Sequence, residues 1–288
     1  MENNQKILIL GADGQLGQSF VLELERQGLK FLALTSSDLD ITDFGRMNEV
    51  IRNYSPDYII NCAAYNNVDK AEEDWENAYL VNGLAVRNLA IISEDIGSVL
   101  IHYSTDYVFS GEKDKSYNIG DEPDPISAYG RSKLLGECFL RDFARKYYLI
   151  RLSAVFGNNP NASFPLKLLS WSKTKDVLEI VDDQVFSPTF VDDVVIATLE
   201  LIETGQFGLY HMTNSGQCSR YEFAKYILDS VNWKGKCLPI ESNKIETLAK
   251  RPKFSVLDSF PLGKVIGYKL PDWHDSVDKF LINIKNYE

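Results

Sequence analysis

A tyrosine and a lysine four positions apart, in Tyr129-Gly130-Arg131-Ser132-Lys133, are the residues of this chain best suited to proton chemistry. Four residues apart on a helix, two side chains share one face, about 6 Å apart along the axis. A free phenol holds its proton up to a pH of about 10, and a fixed ammonium close by favours the phenolate. Such a phenol is a usable general acid for a carbonyl that receives hydride. Upstream, Thr105 in Ser104-Thr105-Asp106 carries a hydroxyl that could donate to the same carbonyl, with a helix cap as its ordinary alternative. Near the N-terminus, Gly11-Ala12-Asp13-Gly14-Gln15-Leu16-Gly17 spaces three glycines as a phosphate-cradling turn requires. Each motif alone is weak; their order along one chain points to nicotinamide-dependent carbonyl chemistry.

These residues need elements to place them. Ile7–Leu10 is a short apolar run that reads as a strand buried on both faces, entering the glycine turn. Leu16 to Gln27 has helical spacing and meets a stop at Gly28. Phe31–Leu34 is the next strand, a helix spans Phe44–Tyr54 before Pro56, and Tyr58–Cys62 is a third strand. Helical spacing resumes from Ala71 to about Asp95, and Val99–Tyr103 is a fourth strand. From Thr105 to about Pro125 no periodicity survives, and a structureless stretch of that length is usually functional. Ser127 can then cap a helix carrying Tyr129 and Lys133 to about Lys146, which feeds the strand Tyr148–Leu152. The alternation predicts an α/β fold: a Rossmann-type doubly wound parallel sheet with right-handed crossovers over residues 1–153. Residues 154–288 are expected to form a smaller C-terminal substrate-binding lobe, with some segments returning to the first domain.

At 288 residues, 44% hydrophobic and 25% charged, the chain has the make-up of a soluble globular protein. Its net charge of −11 argues against a nucleic-acid partner, which needs a basic face. Cys62, Cys138, Cys218 and Cys237 lack paired spacing and read as reduced thiols of a cytoplasmic protein. The polar start and the brevity of the apolar run after it give neither a signal peptide nor a membrane span. His102, His211 and His274 lie too far apart for a metal site, so none is expected. Past the second strand stand Thr35, Ser36 and Ser37, then Asp38, with no acid at the tip to repel a 2′-phosphate and no arginine to clamp one. NADPH is favoured there, with NADH also usable. Lys250-Arg251-Pro252-Lys253 is a basic run in an acidic chain, suited to an anionic substrate.

With these residues in view, the chain resembles an extended short-chain dehydrogenase/reductase, and within it the dTDP-4-dehydrorhamnose reductase family, over nearly all its length. The carriers are Gly14-Gln15-Leu16-Gly17, Leu39-Asp40-Ile41-Thr42-Asp43, Asn61-Cys62-Ala63-Ala64-Tyr65 with Val68-Asp69-Lys70-Ala71-Glu72, and Ser104-Thr105-Asp106-Tyr107-Val108-Phe109. Further on come Tyr129-Gly130-Arg131-Ser132-Lys133, Asp183-Gln184 with Ser187-Pro188-Thr189, Tyr210-His211, and Arg251-Pro252-Lys253 with Leu257-Asp258. The resemblance implies that hydride goes to C4 of a nucleotide-linked 4-keto-6-deoxy sugar, in cell-surface polysaccharide precursor synthesis. It makes Tyr129 the proton donor, Lys133 the residue that lowers its pKa and holds the nicotinamide ribose, and Thr105 the carbonyl's guide. Gly11, Gly14, Gln15, Leu16 and Gly17 would follow the pyrophosphate, Asp40 and Ile41 the adenine, and Ala63, Ala64, Tyr65 and Asn66 the cofactor's other side. Thr105, Asp106, Ala154, Phe186 and Arg251 would face the sugar nucleotide, and a homodimer stays open.

Two departures bear on the sugar. Ala154 stands where the family usually has a tryptophan, and Phe186 where a glycine is usual. Phe186 could take over the apolar wall of the missing indole, so a different nucleotide-linked 4-keto sugar stays open as substrate. A non-catalytic nucleotide-binding subunit, like the regulatory subunit of methionine adenosyltransferase, is the other alternative. Tyr107 stands after Asp106 where related dehydratases place an acid, which argues against dehydration.

Overall fold

Residues 5–159 and 163–285 are described by the computed structural model. The first four residues, on which part of the reading of a leaderless start rests, lie outside them. Six strands form one parallel sheet: β1 (Ile7–Leu10), β2 (Phe31–Leu34), β3 (Tyr58–Asn61), β4 (Val99–Thr105), β5 (Tyr147–Leu152) and β6 (Gly208–His211), in spatial order β6-β5-β4-β3-β1-β2. The order reverses between β1 and β3, and ligands of open α/β sheets bind at such a switch point.

Strand periodicity sorts the core into two layers. Ile7 and Ile9 point to a face covered by the helices Gln15–Gln27 and Val191–Glu203, through Phe20, Leu24, Val194 and Leu201. Leu8 and Leu10 point to the other, covered by Phe44–Tyr54, Ala85–Ile96 and Ala128–Phe143 through Met47, Ile51, Leu89 and Leu140. All four β1 residues are at most 1% exposed, as a central parallel strand requires.

The run expected to be helical from Ala71 to about Asp95 is instead broken into four pieces: Lys70–Glu73, Trp75–Tyr79, a wide π-type turn at Leu80–Leu84, and Ala85–Ile96. The wide turn carries the buried Asn82, whose side chain accepts from the Tyr65 backbone N–H and donates to the Tyr65 carbonyl and the Ser132 hydroxyl. Polar demand at one position thus overrides regular helix, a common use of π-turns. The helix from Ala128 stops at Phe143, a few residues earlier than expected, because Ala144 is extended.

Beyond Ser153 the chain builds a smaller lobe from the helices Phe164–Ser172, Arg220–Ser230 and Trp273–Lys285 around Phe156, Phe190, Phe223 and Phe280. Residues 191–211 leave it to lay a helix and β6 on the main sheet. Among the described residues no helix is long and apolar enough to cross a membrane, and no three His, Cys, Asp or Glu side chains cluster as metal ligands.

Candidate active site

Ser127 starts the helix that carries Tyr129: its Oγ accepts from the Gly130 N–H at 3.1 Å, while Glu72 accepts from the Ala128 N–H at 2.8 Å. A Cβ on Gly130 would lie 2.2 Å from the Tyr107 carbonyl oxygen, so only glycine lets this helix lie against the segment that leaves β4. That closeness brings Tyr129 to Thr105, the last residue of β4. The Thr105 hydroxyl donates to Asp106 Oδ1 at 3.1 Å and accepts from the Tyr107 N–H at 3.2 Å, and it lies near enough to the Tyr129 phenol to favour its ionised form. The Tyr107 ring meets the Tyr129 ring edge-on at 6.0 Å.

Asp106 is buried with both oxygens engaged: Ser153 donates to Oδ2 at 2.8 Å and Ser255 at 2.6 Å, opposite Thr105 on Oδ1. Burial pushes its carboxyl up to about 6, against the pull of these three hydroxyls. It is therefore mostly ionised at neutral pH and accepts the hydrogen bond of the Thr105 hydroxyl.

Lys133 donates to the Tyr103 carbonyl at 2.6 Å. Burial draws its ammonium down to about 8, with Glu137 and Cys62 acting the other way. The phenol does not follow the expectation of a lysine-lowered pKa. Burial raises Tyr129, the Thr105 hydrogen bond opposes this, and the charges acting on it are Asp106 and Tyr107. The reason is geometric: Lys133 is held on β4 by Tyr103, and Tyr129 meets Thr105 at the strand's tip.

Beneath them lies a group the sequence reading missed. Arg151 and Glu137 form a fully buried bidentate pair, 2.9 and 2.6 Å, and the Ser104 hydroxyl donates to the same carboxylate. An arginine within the apolar strand Tyr147–Leu152 was the available signal. Removing one partner of such a pair leaves a bare buried charge, which typically costs about 3–5 kcal/mol.

The glycine turn closes as its spacing requires. A Cβ on Gly11, at φ 73°, would sit 2.6 Å from the Ala63 nitrogen, and one on Gly17 would sit 2.2 Å from the Gly11 carbonyl oxygen. The helix that follows has no side-chain cap at Gly14 and no acid in its first turn, so its N-terminal N–H groups face the cleft. Gln15 Oε1 is buried there without a hydrogen-bond partner. An uncapped helix start and an orphaned acceptor fit a dinucleotide, whose phosphates and hydroxyls supply both needs. Gly14, Gln15, Leu16, Ala63, Ala64 and Asn66 line the cleft.

Other expected contacts lie elsewhere. Tyr65 is turned away, its hydroxyl donating to Asp74; Asp40 accepts from the Thr42 N–H and hydroxyl, and Ile41 is buried. None of these three lines the cleft. At the tip of β2, Asp38 folds back so that its carboxylate accepts from the Thr35 N–H at 2.9 Å and hydroxyl at 2.7 Å, which lowers its pKa. The acid that follows Ser37 in sequence thus does stand at this tip, because the turn brings Asp38 back to Thr35.

On the lobe side, Ala154 is exposed to the cleft in a left-handed conformation, φ 41°. Phe186 does not share that surface: the ring is buried edge-on against Phe223 and does not line the cleft. Arg251 lines the cleft but is bound by Asp69 at 2.6 and 3.2 Å. Arg220, which no motif or spacing singles out, lines the cleft as well. The whole space measures about 1980 Å³, beyond the roughly 300–1,000 Å³ typical of one ligand and suited to two.

Fold and site together define a class: an NAD(P)H-dependent oxidoreductase on a Rossmann-type sheet, with a Thr/Tyr/Lys site at the sheet's carboxyl edge. Residues 5–286 match the family model described as RmlD substrate binding domain. The chain is 36% identical to the dTDP-4-dehydrorhamnose reductase of Aggregatibacter actinomycetemcomitans, over 98% of this chain and 99% of that one. It is 34% identical to the spore coat polysaccharide biosynthesis protein SpsK of Bacillus subtilis, over 96% of both. Among solved structures, the dTDP-4-dehydrorhamnose reductase of Bacillus anthracis in complex with NADP superposes with a TM-score of 0.93 at 35% identity, over 97% of this chain and 99% of that one. The chain belongs to the dTDP-4-dehydrorhamnose reductase family.

Proposed function

We propose that the protein reduces the 4-keto group of dTDP-4-dehydrorhamnose to give dTDP-L-rhamnose, a cytoplasmic step in making a cell-surface polysaccharide precursor, with NADPH as reductant and NADH as a second choice. The observation that carries this reading is the meeting of Thr105, Tyr129 and Lys133 in one cleft with the uncapped, glycine-led helix start.

When bound, the reduced nicotinamide supplies hydride to the carbonyl carbon. Tyr129 reaches neutral pH as the protonated phenol, because burial holds its proton. Its Oη gives that proton to the carbonyl oxygen as alkoxide develops. Thr105, its hydroxyl fixed by Asp106 beside the phenol, orients the carbonyl. Lys133, fixed by Tyr103, presents an ammonium for the cofactor's ribose hydroxyls. Gln15 and the N–H groups after Gly14 take the pyrophosphate side.

Ala154 favours a second reading. With a methyl group at the sugar side of the cleft, the pocket has room for a differently shaped 4-keto sugar. The test is NADPH oxidation by the purified protein with a panel of 4-keto-6-deoxy sugars on dTDP, UDP and GDP. The proposal expects the highest kcat/KM with dTDP-4-dehydrorhamnose. A higher value with another sugar would select the second reading, and no oxidation with any would overturn both.

A further inference from the structure

Two arginines line the cleft, and their surroundings differ. Arg251 is neutralised by Asp69. Arg220 has no carboxylate within ion-pair distance among the described residues; the nearby Asp183 carboxylate is taken by the N–H and hydroxyl of Ser242. Its guanidinium instead lies over two phenyl rings, 5.4 Å from the centre of Phe164 and 5.6 Å from that of Phe186. The backbone beneath is fixed: the Arg220 N–H donates to the Gln184 carbonyl at 3.1 Å. Ser219 and Glu222 cap each other's N–H groups at the same helix start. Held this way, the side chain has already given up much of its rotamer freedom, and the planar fork keeps its N–H donors for a ligand. Its charge is felt in the cleft, where it favours the ionised form of the Tyr107 phenol against burial.

We propose that Arg220, on its platform of Phe164 and Phe186, is the receptor for the diphosphate of the substrate's nucleotide. The inference rests on the sugar-nucleotide reading above and deepens it. It also gives Phe186 a task other than the sugar wall: it holds the arginine from below. In a chain of net charge −11, an incoming diphosphate needs a local cation that no carboxylate already occupies. Arg220 meets that need on the lobe side, away from the glycine turn that suits the cofactor's own phosphates.

The test is calorimetric titration of wild type, Arg220→Ala and Arg220→Lys with dTDP, with thymidine and with NADPH. Removing a charge-assisted hydrogen-bond donor without replacement should weaken dTDP binding about 10- to 100-fold in Arg220→Ala, with a smaller effect in Arg220→Lys. Thymidine and NADPH should bind all three proteins alike, which also reports that the variants are folded. An unchanged dTDP affinity in Arg220→Ala, or equal weakening for all three ligands, would overturn the proposal. Wild type that fails to bind dTDP would overturn it too. The sugar reading fails separately: the protein would then oxidise no NADPH with any 4-keto sugar, yet still bind dTDP through Arg220.

Discussion

The two walls of the cleft are built on different principles. On the sheet side, the residues proposed for the chemistry hang from a strand tip or a helix turn and are fixed by hydrogen bonds: Ser127 to Gly130, Thr105 to Asp106, Lys133 to Tyr103. On the lobe side, the arginine proposed to meet the substrate rests on ring packing, Arg220 on Phe164 and Phe186. The first wall can hold one geometry while the second changes its side chains. On the proposed function, hydride chemistry and substrate choice can therefore be altered independently.

The sharpest way to break that separation is at Tyr129. Tyr129→Phe should lower kcat by about 10² to 10⁴ while leaving NADPH affinity unchanged. Steady-state rates and a fluorescence titration of NADPH check both halves. Phe186→Ala should act on the other wall through stability. A buried phenylalanine typically costs about 3–5 kcal/mol when cut to alanine, so urea unfolding should show a large drop in stability with NADPH binding retained in the folded fraction. A Phe186→Ala protein of normal stability would mean the ring is no part of the lobe core.

A smaller effect is expected from pH. The Lys133 pKa is lowered to about 8, so the ammonium is present below that pH and lost above it. The kcat/KM for NADPH should therefore fall as pH rises through about 8, and Lys133→Met should remove that limb along with part of the cofactor affinity. The smallest effect belongs to Asp38. Neutralising an exposed carboxylate at the strand tip should shift preference toward NADPH by about two- to five-fold in Asp38→Asn. The ratio of kcat/KM for the two cofactors reads it directly.

What was legible in the sequence follows the same division. The apolar run Ile7–Leu10, the Gly28 stop, the Ser127 cap and the i, i+4 pair Tyr129/Lys133 are local patterns, and the parallel sheet and its ligand edge follow from them. The π-turn at Asn82 was hidden because its cause is a bond to Tyr65, 17 positions away. Lys133's distance from the phenol's titration, and Asp38's return to Thr35, depend on where side chains point and not on spacing alone. Phe186 reads as a sugar-side residue because it adjoins a motif; in three dimensions its neighbours are Phe223 and Arg220. Arg220 itself carried no signal, since an arginine at a helix start reads as an ordinary surface residue.

The central claim, that this cleft delivers hydride to C4 of a nucleotide-linked sugar, is tested most directly with NADPH deuterated at the transferable position. Mass spectrometry and NMR of the sugar product should find one deuterium, at C4, for each NADPH consumed, and Tyr129→Phe should give almost none. Product without label, label at C5 or C6, or conversion of sugar with no net consumption of NADPH would contradict the account.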